Sequence, residues 1–231
     1  MKNRTRYTAN TTFRLLSFAA LSVLAGCSLS RGGPAPQHFV LGGGLREAND
    51  TGSGQLPGLA IGVRRLDLAS YLETPFIVVR RGPNRLGLSE FHRWGEDLSG
   101  GINRTVAGYL SDRARFRGID VAPWPAGEQH DYVIQLHVLR FEGVVPDEPE
   151  AVEGEAHMLV AWEIIQPLDG VVLRRGTTDY RENGWTLGDY AGLVTLLDAG
   201  LHVLSSDLVA RLEQLVALKA VDLVVEPAQG G

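Results

Sequence analysis

The side chains able to do covalent or acid–base chemistry in this 231-residue chain are few and scattered. Its only thiol is Cys27, so no disulfide can close within the chain. The histidines are His38, His92, His130, His137, His157 and His202. None form an H-x-H or H-E-x-x-H pair, so a transition-metal site would have to be assembled from distant residues. Ser89-Glu90-Phe91-His92 sets hydroxyl, carboxylate and imidazole side by side. A triad is a convergence in space, not in sequence, so this run reads as a strand end leading into a loop. No G-x-S-x-G elbow is present. Asp147, Glu148 and the acids of 150–155 sit in a proline-containing stretch. Calcium needs a tighter array of six to eight oxygens, and a solvated loop is the expectation. Gly52, Gly54 and Gly58 imitate a phosphate loop with the wrong spacing and no helix pattern after them. No catalytic residue, metal or cofactor is therefore expected.

Two features point to binding. Arg80, Arg81 and Arg85 flank Gly82-Pro83-Asn84, a turn signal, and are the candidate contacts for lipid headgroups or an acidic partner. Trp185, in Glu182-Asn183-Gly184-Trp185, reads as loop-borne and is a candidate interface anchor. Net charge is −5, which argues against a nucleic-acid partner.

Several elements must position these groups. His38–Leu41 is a short strand candidate, and residues 42–58 form a breaker-rich loop. Leu59–Leu68 is β-like. Phe76–Ser89 reads as a hairpin around the Gly-Pro-Asn turn. Asp97–Arg115 has a helical apolar face through Ile102, Val106, Tyr109 and Leu110, with Asp97 or Ser99 as its cap. Ile119–Val121 is a short strand. Asp131–Gly143 alternates, with Tyr132, Ile134, Leu136 and Val138 on one side and Gln135, His137 and Phe141 on the other. Gly154–Gln166 and Gly170–Tyr180 follow, joined through Asp169-Gly170. Leu193, Leu197, Leu201, Leu204, Leu208, Leu212 and Leu215 form one helical stripe within Asp189–Ala217. Acids and Arg211 interrupt that segment, which reads as a core face rather than a membrane span. The order predicts one α+β domain over 38–231, a mostly antiparallel sheet with two helices on one face.

The N-terminus explains Cys27. Lys2, Arg4, Arg6 and Arg14 are the only charges before it. Removing these four from the 22 basic residues leaves 18 against 27 acids, or −9. A basic region, an apolar run Leu15–Leu24 and small residues Ala25-Gly26 follow the layout of a secretory signal. Leu24-Ala25-Gly26-Cys27 resembles a bacterial lipobox, which implies cleavage after residue 26 and lipidation of Cys27, with diacylglycerol on the thiol and an acyl chain on the new amine. Such multiple chains give durable anchoring where one chain does not. Residues 27–37 then carry the lipid and a flexible tether, of which the ten residues from Ser28 span at most about 33–36 Å. Ser28, rather than Asp, resembles lipoproteins sorted to the outer membrane.

A wider resemblance covers most of the mature chain. Tyr71-Leu72-Glu73-Thr74-Pro75 leads into Ile77-Val78-Val79-Arg80, then Leu86–Ser89 and Glu90-Phe91-His92-Arg93-Trp94 with Glu96 and Leu98. This block, with the strand Gly154–Trp162 and the long C-terminal helix, resembles the PqiC (YmbA) family of ABC-type transport auxiliary lipoproteins. Gly95 stands where the family pattern has Ala, small for small. The resemblance implies a non-enzymatic outer-membrane lipoprotein facing the periplasm. It also implies a partner, an MCE-domain protein of the inner membrane, with which the lipoprotein moves phospholipid and maintains envelope integrity. A ring-shaped or multimeric partner favours a homo-oligomer. The rival expectation is an envelope scaffold that binds lipopolysaccharide, peptidoglycan or an outer-membrane barrel.

Overall fold

The computed structural model describes residues 34–43, 54–56, 58–125 and 127–225. The signal segment, Cys27, most of the tether and most of the 42–58 loop lie outside the described residues. The strands before the first helix are β1 (Gln37–Phe39), β2 (Gly54–Gln55), β3 (Ala60–Val63), β4 (Asp67–Leu68), β5 (Phe76–Arg81) and β6 (Arg85–Trp94). Helix α1 (Leu98–Arg113) follows, then β7 (Ala114–Arg115), β8 (Gly118–Val121), β9 (Tyr132–Val145), β10 (Glu153–Ile165), β11 (Val172–Thr186) and α2 (Tyr190–Val225). The chain from Gln37 onward forms one compact unit.

The class is α+β, as the element order predicts. The long ladders β9–β10–β11 and the hairpin β5–β6 are antiparallel. The short ones are parallel: β3, β4 and β5 run in turn along the free edge of β9 in its own direction, and β1–β6, β2–β7 and β3–β8 are parallel as well. The main path is β1-β6-β5-β9-β10-β11. Gly170, at φ +73°, supplies the left-handed residue at the turn into β11.

Helix α1 starts where the sequence places its cap: the Asp97 carboxylate accepts a hydrogen bond from Gly100 N at 2.8 Å. α1 packs on α2, and α2 packs on β9, β10 and β11. By length and composition α2 is apolar enough to cross a membrane. Its leucine stripe from Leu193 to Leu215 is nevertheless buried in the core, so α2 is a core helix. Each of these side chains contributes on the order of 1.5–3 kcal/mol by leaving water.

One face assignment changes. A bulge at Leu139, between the pairs Arg140–Leu159 and Val138–Val160, shifts the alternation of β9 by one residue. Phe141 therefore joins Leu136 and Val138 in the core, against Trp94, instead of facing away with Gln135 and His137. Trp162 is in the core, as its strand position suggests.

Candidate functional site

The β5–β6 hairpin holds the predicted arginines, and the structure separates them. Strand alternation turns Arg80 onto the sheet face away from the helices. There its Nε donates to Glu142 Oε1 at 2.5 Å and its Nη2 to Oε2 at 3.2 Å, a bidentate pair. The Glu142 side chain is fully buried, and that of Arg80 is 13% exposed. Arg140 adds a bond to Glu142 at 3.2 Å. The Arg80 guanidinium also lies 5.5 Å from the centre of the Tyr71 ring. The hydrogen bonds it donates to Glu142 raise the Arg80 pKa further. Burial, then the Glu142 charge, push the Tyr71 hydroxyl up to about 12. Arg80 thus clamps the hairpin to β9 and is not a free cation at the tip.

Arg81 and Arg85 remain exposed on the rim. Arg85 pairs with Asp147, which follows β9. Beside them Leu86, Leu88 and Phe91 are exposed apolar residues of β6. Sequence reading missed them. The signal for Leu86 and Leu88 was apolar alternation, which Phe91 breaks, in a strand whose outer neighbour, β1, pairs only with His92–Trp94. The tip therefore offers a cationic rim and a short apolar ladder.

Trp185 needs correction. It lies within β11, not in a loop, and is 2% exposed. Its indole donates to the Asp189 carbonyl at 2.8 Å and fills the space left by Gly143 and Gly154. β11 runs on past Gly184, at φ +87°, so the Asn-Gly pair that reads as a loop is an irregularity inside a strand. A buried indole cannot anchor an external partner.

Ser89–His92 also lies inside a strand. The β5–β6 register shifts between Phe76 and Val78, leaving extra residues on β6. That bulge brings Ser89 Oγ within 2.7 Å of His92 Nδ1. The imidazole stacks on Tyr190 at 4.0 Å. Among the described residues, no carboxylate hydrogen-bonds to it, so the third member of a triad is not assembled.

A family model for the ABC-type transport auxiliary lipoprotein component matches residues 44–209. No curated protein matches the sequence. Among solved structures, protein XCC0632 from Xanthomonas campestris shares the fold at 17% identity and a TM-score of 0.59, over 76% of this chain and 90% of that one. A second, uncharacterized protein aligns at 18% identity and a TM-score of 0.50, over 71% of this chain and 99% of that one. With the family model covering more than half of its length, the chain belongs to the family of ABC-type transport auxiliary lipoprotein components.

Proposed function

We propose that the protein is a non-catalytic subunit of an MCE/ABC-type intermembrane phospholipid transport system, anchored by Cys27 in the outer membrane and facing the periplasm. The family match over residues 44–209 carries this reading. The lipobox at Leu24–Cys27 and Ser28 after it support the anchor and its sorting. The role is mechanical: the lipid holds the domain at the membrane, and the folded body receives the end of a partner built around an MCE domain. The exposed Arg81 and Arg85, beside Leu86 and Leu88, are the proposed contact, and a multimeric partner is met by a homo-oligomer. The loss of Arg80 from this set is a consequence of its pairing with Glu142.

The test is a mild-detergent pull-down of the tagged protein from native membranes with mass spectrometry, beside a Cys27→Ala version. Recovery of an MCE-domain protein that falls when Cys27 is replaced is the expected result. Recovery of a barrel or a cell-wall factor in its place would overturn the transport reading in favour of a scaffold.

A further inference from the structure

A second arginine-bearing site lies far from the hairpin, between β11 and the C-terminal half of α2. A cleft of about 370 Å³ there has Trp162, Arg174, Arg175, Gly176, Asp207 and Arg211 in its lining. That volume is within the range of small-ligand sites. Its floor is built. A Cβ at position 176 would overlap the Trp162 ring, so only glycine lets the indole lie across β11. The indole N–H donates to Thr178 Oγ1 at 3.3 Å, and that hydroxyl donates to Asp207 Oδ2 at 2.8 Å. The one carboxylate in the lining is thereby engaged in holding the floor.

Of the three cations in the lining, Arg175 pairs with a carboxylate and the other two are not neutralised. Arg175 lies 3.9 Å from Glu163. Arg174 donates to the Leu173 carbonyl at 2.7 Å and Arg211 to Gln214 Oε1 at 3.0 Å. Among the described residues, neither Arg174 nor Arg211 meets a carboxylate. Each guanidinium is permanently charged and has five N–H donors, so most remain available to an oxyanion.

The surroundings say what the oxyanion is attached to. Arg211, Gln214, Leu218 and Val221 follow one another on α2 at intervals of three, four and three, one continuous stripe. The stripe is polar at the cleft and apolar beyond it, with Leu218 51% and Val221 59% exposed. In the turn that leads into β11, Leu168 is 90% and Val171 50% exposed. α2 descends β11 from Trp185 past Tyr180 and Thr178 to Gly176, so the helix end and this turn close the same end of the molecule.

We propose that this cleft binds a phosphate-bearing headgroup, Arg174 and Arg211 gripping the oxyanion while Leu218 and Val221 receive the apolar remainder of the same molecule, a phospholipid. The assignment deepens the transport reading and rests on it for the ligand's biological meaning. The binding itself is tested without any partner, so a failed pull-down and a failed titration are separate results.

The experiment titrates full-length protein in a neutral detergent micelle, by calorimetry, with three probes. These are short-chain phosphatidylglycerol, glycerol phosphate, and the uncharged diacylglycerol with the same tails. Arg174→Ser/Arg211→Ser should weaken phosphatidylglycerol binding about 25-fold, at about fivefold per arginine. Leu218→Ser should weaken the lipid and leave glycerol phosphate unchanged. Arg117→Ser, at an exposed arginine paired with Asp131, should leave both unchanged, and circular dichroism should show all variants folded. Wild-type affinity in the Arg174/Arg211 variant, or equal binding of the diacylglycerol, would overturn the site. Glycerol phosphate binding as tightly as the lipid and indifferent to Leu218→Ser would overturn the lipid as its source.

Discussion

At the β5–β6 hairpin, Arg80 ends on the buried carboxylate of Glu142; in the β11–α2 cleft, Arg174 and Arg211 end on a carbonyl and an amide. The residue type is the same and the physical use is opposite. A guanidinium whose partner is buried holds two strands together, and its removal strands a charge. A guanidinium left on neutral acceptors keeps its field and its spare donors for something that arrives from outside. An arginine's role is therefore read from what ends on it.

The sharpest way to break this comparison is at Glu142. Glu142→Ala leaves Arg80 and Arg140 facing an empty buried site, and a loss of about 3–5 kcal/mol is expected in urea unfolding followed by circular dichroism. A loss under 1 kcal/mol would put the Arg80 pair in the same class as the cleft arginines. Next is Gly176→Val, which overfills the space held by Trp162 and costs about 1–3 kcal/mol. It should also abolish phosphatidylglycerol binding, whereas no change at the hairpin should do so.

His157 lies between Glu142 and Arg181 in the cross-strand register, and its Nε2 donates to Asp179 Oδ1 at 2.9 Å. Burial, followed by the nearby Arg181 charge, holds its pKa below the usual 6.5, and His202 is lowered by burial and Arg113. The unfolded chain therefore binds protons that the folded chain refuses. Their stabilising contribution is complete above pH 6.5 and is lost as pH falls below it, toward the folded values. Melting temperature should drop between pH 7.5 and 5.5, and His157→Gln should flatten part of that drop. A flat profile in wild type would overturn this reading of His157 and His202.

The smallest effects are expected at the exposed pairs. Arg85→Ser should change stability by no more than about 1 kcal/mol, because the Arg85–Asp147 pair is exposed and screened. Arg174→Ser/Arg211→Ser should be neutral to within about 0.5 kcal/mol while ligand binding falls. A large stability loss in that variant would make the cleft arginines structural after all.

The elements were legible where local chemistry sufficed. Gly82-Pro83-Asn84 marked the hairpin, Asp97 capped α1, Asp169-Gly170 turned β10 into β11, and the leucine spacing marked the buried face of α2. The candidate site was less legible. Arg80, Arg81 and Arg85 are neighbours in sequence, and nothing local says that one of them meets Glu142, 62 residues on. Trp185 followed a loop-like Asn-Gly pair, yet its strand continues. Phe141 was placed on the wrong face because one extra residue in β9 inverts everything after it.

The sequence by itself determined the class and the helices and hairpins, because each depends on residues within a few positions of one another. Tertiary structure alone decided which arginines are neutralised, which indole is buried, and that Arg174 and Arg211 line one cleft. Those outcomes depend on strand register and on the placement of α2 against β11. They are long-range facts, because a charge is quenched or left free by whatever the fold brings within a few ångströms of it.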